Sequence, residues 1–588
     1  MIFSGVILII GLGVPVRFGD DGGPYVGIQC EPNYRVRIAR FCAILCSAGC
    51  GCFPGRLENA IVTSTWGEAF VIQPDHSHLF GRIQLWFAQR IRPTSQGENV
   101  RAFYGIIIGL CLLSLANVAL ADSFSDRFED VTLRIDYNHT GNSTEEIVSL
   151  DQMWRQGTWA GSRTRLIDEL NLGRYYAKAF DAESGDLVWS RGFDSYFGEW
   201  KTTDKAGAGQ RRTYHESALM PYPKMPVVFT LEARQKDNSL LEVFRMDVDP
   251  ADWRIRRDAL PEGVTVYETA VHGDSHSRVD IAIVGDGYTA DEADKFAADA
   301  ERFAKAMLEH EPYKSMADNF NIWGVLKPSQ ETGCDEPSRG IHRNTALGST
   351  FDSLDSERYL LTEDNRAIRD VAAHAPYDVL YIMVNHERYG GGGIYNLFCT
   401  FTSDNVWSEY VFLHEFGHSF AGLADEYYSS STAYNDFYPA GNEPNERNIT
   451  ALHDPAEVKW KALLSEGTPL PTAWDKSNFD KMDADYQVKR QSVNNRIAEL
   501  MTSGADESEV EKAKTEGERL SIEAQTKIDA WFDRNATQGK VGAFEGAGYS
   551  SEGLFRSQLD CIMFTKGIKS FCAACDRGIH EITERYLE

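Results

Sequence analysis

Two histidines four residues apart with a glutamate between them, His414, Glu415 and His418, lie in the segment VFLHEFGHSFAGLADEYY. On a helix, side chains at i and i+4 leave one face with Cβ atoms about 5–6 Å apart, so both imidazoles can hold a single zinc ion. The Glu415 carboxylate stands beside them, where it can take a proton from an attacking water as a general base. Phe412, Leu413, Phe416 and Phe420 give the segment the apolar surface of a buried helix. The chemistry implied is hydrolysis of a peptide bond, with Zn2+ as cofactor and a protein or peptide as substrate.

A catalytic zinc takes three protein ligands and keeps one position open. Asp425 stands seven residues beyond His418, about 10.5 Å along an unbroken helix, whereas a zinc–carboxylate bond is about 2.0–2.2 Å. The helix must therefore stop. Gly422 is placed to end it in a left-handed conformation, so that Asp425 or Glu426 folds back under the metal. Asp425 is favoured as third ligand, Glu426 stays open, and a salt-bridged loop carboxylate is the plain alternative for either. Upstream, Gly390 to Gly393 run into Ile394 and Tyr395. Consecutive glycines are costly in entropy unless the backbone has a task. Gly391, Gly392, Gly393 and Tyr395 are thus candidates for an edge strand that binds an extended substrate, with a flexible loop as the bland reading.

The surrounding pattern predicts a multidomain chain. From Asp122 to about Arg257, runs such as VTLRIDY, RYYAKAFD, LVWSRGF, PVVFTLEAR and LLEVFRMDV alternate with turn residues, predicting an all-β sandwich over 122–260. Pro250 to His276 reads as the boundary. Beyond it strand and helix alternate, predicting an α/β domain over 268–588. VDIAIVGDGYT precedes the helical DEADKFAADAERFAKAMLEH, strands are predicted at NIWGVLK and DVLYIMVN, and a helix near Arg366 to Ala373. Tyr486, Val493, Ile497 and Leu500 form one stripe, and Leu520, Ala524, Ile528 and Trp531 another. They predict a helical-hairpin insertion at about 475–535, which either shapes substrate access or is a solvated elaboration.

Asp and Glu outnumber Lys and Arg by 87 to 59, and a field of that sign argues against nucleic acid as a partner. With 43% hydrophobic and 25% charged residues, the chain is neither a disordered tail nor a polytopic membrane protein. From Val100 it reads VRAFYGIIIGLCLLSLANVALADSF: a basic residue, an apolar core and Ala119-Leu120-Ala121, the parts of a secretory signal peptide at 100–121. Residues 1–99, with five Cys and no Lys, then read as a spurious or disordered extension. The alternative is a Cys-rich domain followed by a membrane anchor. The expectation is an exported protein, whether periplasmic, cell-surface or secreted, with no stable membrane span after cleavage. Of the later cysteines, Cys561, Cys572 and Cys575 are close in sequence. Without an obvious fourth ligand, a local disulfide is expected there over a second metal site.

HEFGHSFAGLADEYY resembles the active-site segment of the bacterial IgA-peptidase family of zinc metallopeptidases. LRIDYNHTGN, WAGSRTRLID, SRGFDSYFGEW and TYHESALMPYPK are similar to that family's N-terminal domain, GGGGIYN to the strand before its catalytic helix, and VGAFEGAGY with CIMF and FCAAC to its C-terminal segment. The resemblance implies a metzincin-like catalytic domain in which a methionine turn lies beneath the zinc, with Met563 at the matching position. It also suggests a host or cell-surface glycoprotein as substrate. The glycine and presumed third ligand stand one residue later than in the wider metzincin pattern, and the ligand is acidic. No tyrosine follows Met563 closely enough to be placed as an oxyanion donor.

The competing class is a catalytically inactive surface-binding protein with a vestigial or structural zinc site. A closed site needs four protein ligands, and the intact Glu415 argues for turnover.

Overall fold

The computed structural model describes residues 61–63, 69–71, 124–428, 438 and 441–587. Of the segment 1–99 only the antiparallel pair Ile61–Thr63 and Ala69–Val71 is described, and the signal segment 100–121 lies outside the described residues.

The N-terminal region contains two four-stranded sheets. In one, Phe128–Gly141 pairs with Glu146–Arg155 on one side and Arg212–Pro223 on the other, and Ile255–Arg256 adds in parallel to Glu146–Arg155. In the other the order is Leu187–Phe193, Tyr175–Asp181, Val227–Arg234, Leu240–Val248, all antiparallel. Because side chains alternate across a strand, Leu133, Ile135 and Tyr137 from the first sheet meet Ala177, Ala179 and Phe229 from the second in one buried core. Residues between them are not left to water. Arg134 pairs with Asp136 at 3.0 Å and reaches Asp370 at 2.6 Å, on the helix Asn365–Ala372. One sheet face thus makes the core, and the other docks on the second half of the chain.

That half is built on a six-stranded sheet in the order Thr265–Ala270, Phe320–Leu326, Val279–Asp286, Val379–Val384, Phe398–Thr402, Gly391–Ile394. The four inner strands are parallel and the two edge strands antiparallel. Parallel strands covered on both faces read as continuous apolar runs, and every residue of Val279–Asp286 and Val379–Val384 is buried. Ile281 and Ile283 face one apolar cluster, with the helices Ala293–Leu308 and Ser408–Ala421. Ala282 and Val284 face another, with the helix Asn365–Ala372. The result is an α/β layer structure preceded by a β region.

The predicted helical pair is present as Lys476–Ser503 and Glu507–Phe532. Gly504 takes the left-handed conformation that ends the first helix. The base is anchored by Phe479, whose ring lies 5.1 Å from that of Phe564. Farther along, Tyr486 donates to the Ser521 hydroxyl at 3.2 Å.

Candidate active site

The helix Ser408–Ala421 is buried on most of its surface, and Gly422 caps it in the left-handed region at φ 58°. Gly422 N–H bonds the His418 carbonyl at 3.0 Å and Leu423 N–H the Gly417 carbonyl at 3.1 Å, so carbonyls of the last turn are satisfied as the chain reverses. The reversal brings Asp425 back to the histidines. His414 Nε2 and His418 Nε2 are each 3.2 Å from Asp425 Oδ1, and 3.2 Å from one another. The Glu415 carboxylate lies within 4.8 Å of both imidazoles.

Both rings are held from behind. His414 Nδ1 lies 3.0 Å from the Ile562 carbonyl and His418 Nδ1 2.6 Å from the Leu423 carbonyl. A carbonyl only accepts, so each Nδ1 carries a proton and Nε2 is the nitrogen left to meet Asp425, or a metal ion in place of the proton shared there. Asp425 is held too, because Tyr549 donates its hydroxyl to Oδ2. Burial would lower the His418 pKa, but Asp425 and then Glu415 outweigh it and bring it to about 9. Asp425 is held well below its usual carboxylate range despite burial, by His418 and His414. Burial raises Glu415, with the two histidines offsetting part of the effect.

This donor set fits a divalent cation. Ligand bonds of about 2.0–2.1 Å in a tetrahedral arrangement put donor atoms roughly 3.3 Å apart, close to the 3.2 Å triangle of two imidazole nitrogens and one carboxylate oxygen. Met563 lies directly behind, fully buried, and a Cβ on Gly417 would stand 2.9 Å from its sulfur. The Met563 carbonyl accepts from Glu426 N–H at 2.8 Å. Glu426 itself turns away from the histidines toward Cys572 and Cys575, which leaves Asp425 as the carboxylate at the triangle. The disulfide expected among Cys561, Cys572 and Cys575 does not form. All three are free and buried, with Cys561 and Cys575 sulfurs 3.9 Å apart.

The glycine run has a packing cause. A Cβ on Gly393 would stand 2.6 Å from the Glu415 carbonyl oxygen and 2.9 Å from His418 Cβ, and one on Gly391 2.6 Å from Val411 Cγ1. Gly392 faces the other way, against Leu361. Only glycine lets the strand lie this close to the helix. Gly391–Ile394 is an edge strand as expected, but part of the edge is used, since Leu360 N–H donates to the Gly391 carbonyl at 3.4 Å. Tyr395 borders the cleft at only 4% exposure, with its ring under Gly422 and its carbonyl bonded to Asp194 N–H. Its position shows packing, not an exposed contact.

The site opens into a cleft whose far wall includes Tyr486 and Gln525 of the helical pair. Three residues with polar groups here had no assigned role in the sequence. Tyr549 braces Asp425, and Arg358 donates to the Tyr427 hydroxyl at 3.1 Å. The third, Lys566, lies with Nζ 3.9 Å from the Tyr389 ring centre. Burial, then Arg490 and Arg358, push Lys566 down to about 7. None of the three stands near the histidine motif in sequence, and a lone Tyr, Arg or Lys carries no spacing signal.

A family model described as IgA Peptidase M64 matches residues 267–583, and one described as Peptidase M64 N-terminus matches residues 123–245. No curated protein matches the chain.

Proposed function

Since the chain belongs to the IgA peptidase M64 family and is thereby a peptidase, we propose that it is an exported zinc-dependent endopeptidase with a metzincin-like centre. The reading rests on one observation: His414 Nε2, His418 Nε2 and Asp425 Oδ1 stand 3.2 Å from one another around a common point. These three residues would hold the ion, and Met563 would form the floor beneath it. When bound, zinc supplies Lewis-acid chemistry, acidifying water and polarising a carbonyl.

The chain's own residues do the rest. The Ile562 and Leu423 carbonyls fix the tautomer and tilt of the two rings, and Tyr549 fixes the carboxylate. Glu415, its pKa raised by burial, accepts the proton of the attacking water and returns it to the leaving amine. The edge strand Gly391–Ile394 offers backbone groups to an extended peptide, so part of the orientation entropy is lost on binding. The helical pair closes the cleft from the far side and restricts what enters. A host or cell-surface glycoprotein is the proposed class of substrate, and the segment 100–121 the proposed export signal. No helix among the described residues is long and apolar enough to cross a membrane.

The test is Glu415→Ala, assayed on a denatured protein substrate beside the wild type. It is expected to retain its metal and lose roughly 10²–10⁴-fold in kcat. Turnover close to that of the wild type would remove Glu415 from the reaction and the mechanism with it.

A further inference from the structure

Behind the site described above, a second group of donors converges in a fully enclosed place. Glu426, Cys561, Cys572 and Cys575 each offer one atom, and these four atoms lie within 4.8 Å of one another, all four residues being buried. Glu426 Oε1 is 3.2 Å from Cys572 Sγ and 3.3 Å from Cys575 Sγ, and the Cys561 and Cys575 sulfurs are 3.9 Å apart. A tetrahedron with zinc–sulfur bonds of about 2.3 Å and a zinc–oxygen bond of about 2.0 Å has edges of roughly 3.8 Å between sulfurs and 3.5 Å from sulfur to oxygen.

The surroundings are built for anionic sulfur. Cys572 N–H and Met563 N–H point at Cys561 Sγ, at 3.1 and 3.4 Å. Ser557 donates its hydroxyl to Cys572 Sγ at 3.0 Å. Cys572 also caps the helix Ala573–Tyr586, accepting from Cys575 N–H, so its sulfur sits at the positive end of the helix dipole. Glu426 supplies an independent sign of an absent partner. Its side chain is 0% exposed, Oε1 takes a bond from Asn448 Nδ2 at 3.2 Å, and Oε2 has no hydrogen-bond partner. A buried carboxylate oxygen without a partner is costly. A disulfide between any two of the cysteines would leave the third thiol and that oxygen as they are.

We propose that Glu426, Cys561, Cys572 and Cys575 form a second, structural zinc site. Three soft sulfurs and one carboxylate select a borderline ion such as zinc over calcium or magnesium, and four protein donors leave no position for substrate. The fully buried Arg556, whose charge acts on Glu426, offsets part of the excess negative charge. In its consequence the proposal rests on the peptidase reading. Glu426 follows Asp425 directly, and Cys561 precedes Ile562 and Met563, which back His414 and Gly417. The second ion therefore ties the loop carrying the third ligand to the segment beneath the first site and to the C-terminal helix.

The experiment uses the full chain loaded with zinc, and in parallel with cobalt(II). The wild type is expected to bind two equivalents, and the double variant His414→Ala/His418→Ala one. That variant should keep the near-ultraviolet charge-transfer absorption of cobalt bound to thiolate, whereas Cys572→Ser/Cys575→Ser should lose it. Should the cysteine variant fail to fold, the histidine variant decides, because it retains all four proposed donors. A metal-free histidine variant, cobalt without the thiolate band, or a disulfide among these cysteines in the unreduced protein would overturn the proposal. A wild type holding one equivalent that carries the thiolate band would instead sink the first site and leave this one standing.

Discussion

In the N-terminal sheet, His139 is clamped between Glu216, 2.9 Å from its Nδ1, and Glu146, 2.9 Å from its Nε2. In the helix Ser408–Ala421 one histidine is buried and the other half-buried, but each gives Nδ1 to a backbone carbonyl and aims Nε2 at a point shared with Asp425. Both regions bury imidazoles beside carboxylates. The difference is in whether the donor atoms converge. His139 gives its two nitrogens to two different carboxylates on opposite sides of the ring and lies 4.0 Å from the Phe197 ring in a stacked arrangement. His414 and His418 turn their Nε2 atoms to one carboxylate oxygen and to each other, where a cation can take the place of the shared proton. Burial and acidic neighbours do not by themselves separate a structural histidine from a ligand; the second nitrogen does.

If that distinction holds, the two regions respond oppositely to substitution. His139→Ala removes the bridge between buried Glu216 and half-buried Glu146 and is expected to cost about 3–5 kcal/mol in unfolding free energy. Metal content per folded molecule should be unchanged. Denaturant titration with parallel metal analysis checks both halves, and loss of metal without loss of stability would break the comparison. A smaller effect is expected from Tyr549→Phe, which frees the outer oxygen of Asp425. Metal affinity at the histidine site should fall roughly 10–100-fold, measured by competition with a chelator, with folding stability nearly unaltered.

The smallest effect lies in the pH dependence of the His139 cluster. Burial opposes ionisation of Glu146, but His139 and Lys201 bring its pKa from 4.5 to about 2. Its contribution to stability is therefore full above about pH 4.5 and lost as pH falls toward 2. Burial likewise opposes charge on His139, but Glu216 and Glu146 hold its pKa above the usual 6.5. That contribution is full below about pH 6.5 and lost as pH rises through the raised value. Both are complete between about pH 4.5 and 6.5. In His139→Ala the loss on the alkaline side of this window should disappear, which thermal unfolding across pH would register.

Much of this architecture was legible in the chain. The strands Val279–Asp286 and Val379–Val384 announce themselves because sheets covered on both faces need unbroken apolar runs. The helical pair was legible from its stripes, and the helix end from Gly422. The strands Glu146–Arg155 and Arg212–Pro223 were less so. The first has a single fully buried residue, and the second buries Glu216 and Ser217 against partners distant in sequence, so neither shows a simple alternation.

By itself the sequence determined the spacing of His414, Glu415 and His418, the stop after His418, and two adjacent carboxylates within reach. Those are local properties of helix pitch and backbone freedom. Only the tertiary structure decided that Asp425 faces the histidines and Glu426 the cysteines, because successive side chains of an extended segment point to opposite sides and the cysteines on one of those sides lie more than a hundred positions away in the chain. It also turned the glycine run into a matter of strand-to-helix approach, and gave Cys561, Cys572 and Cys575 the fourth donor that their spacing alone could not supply.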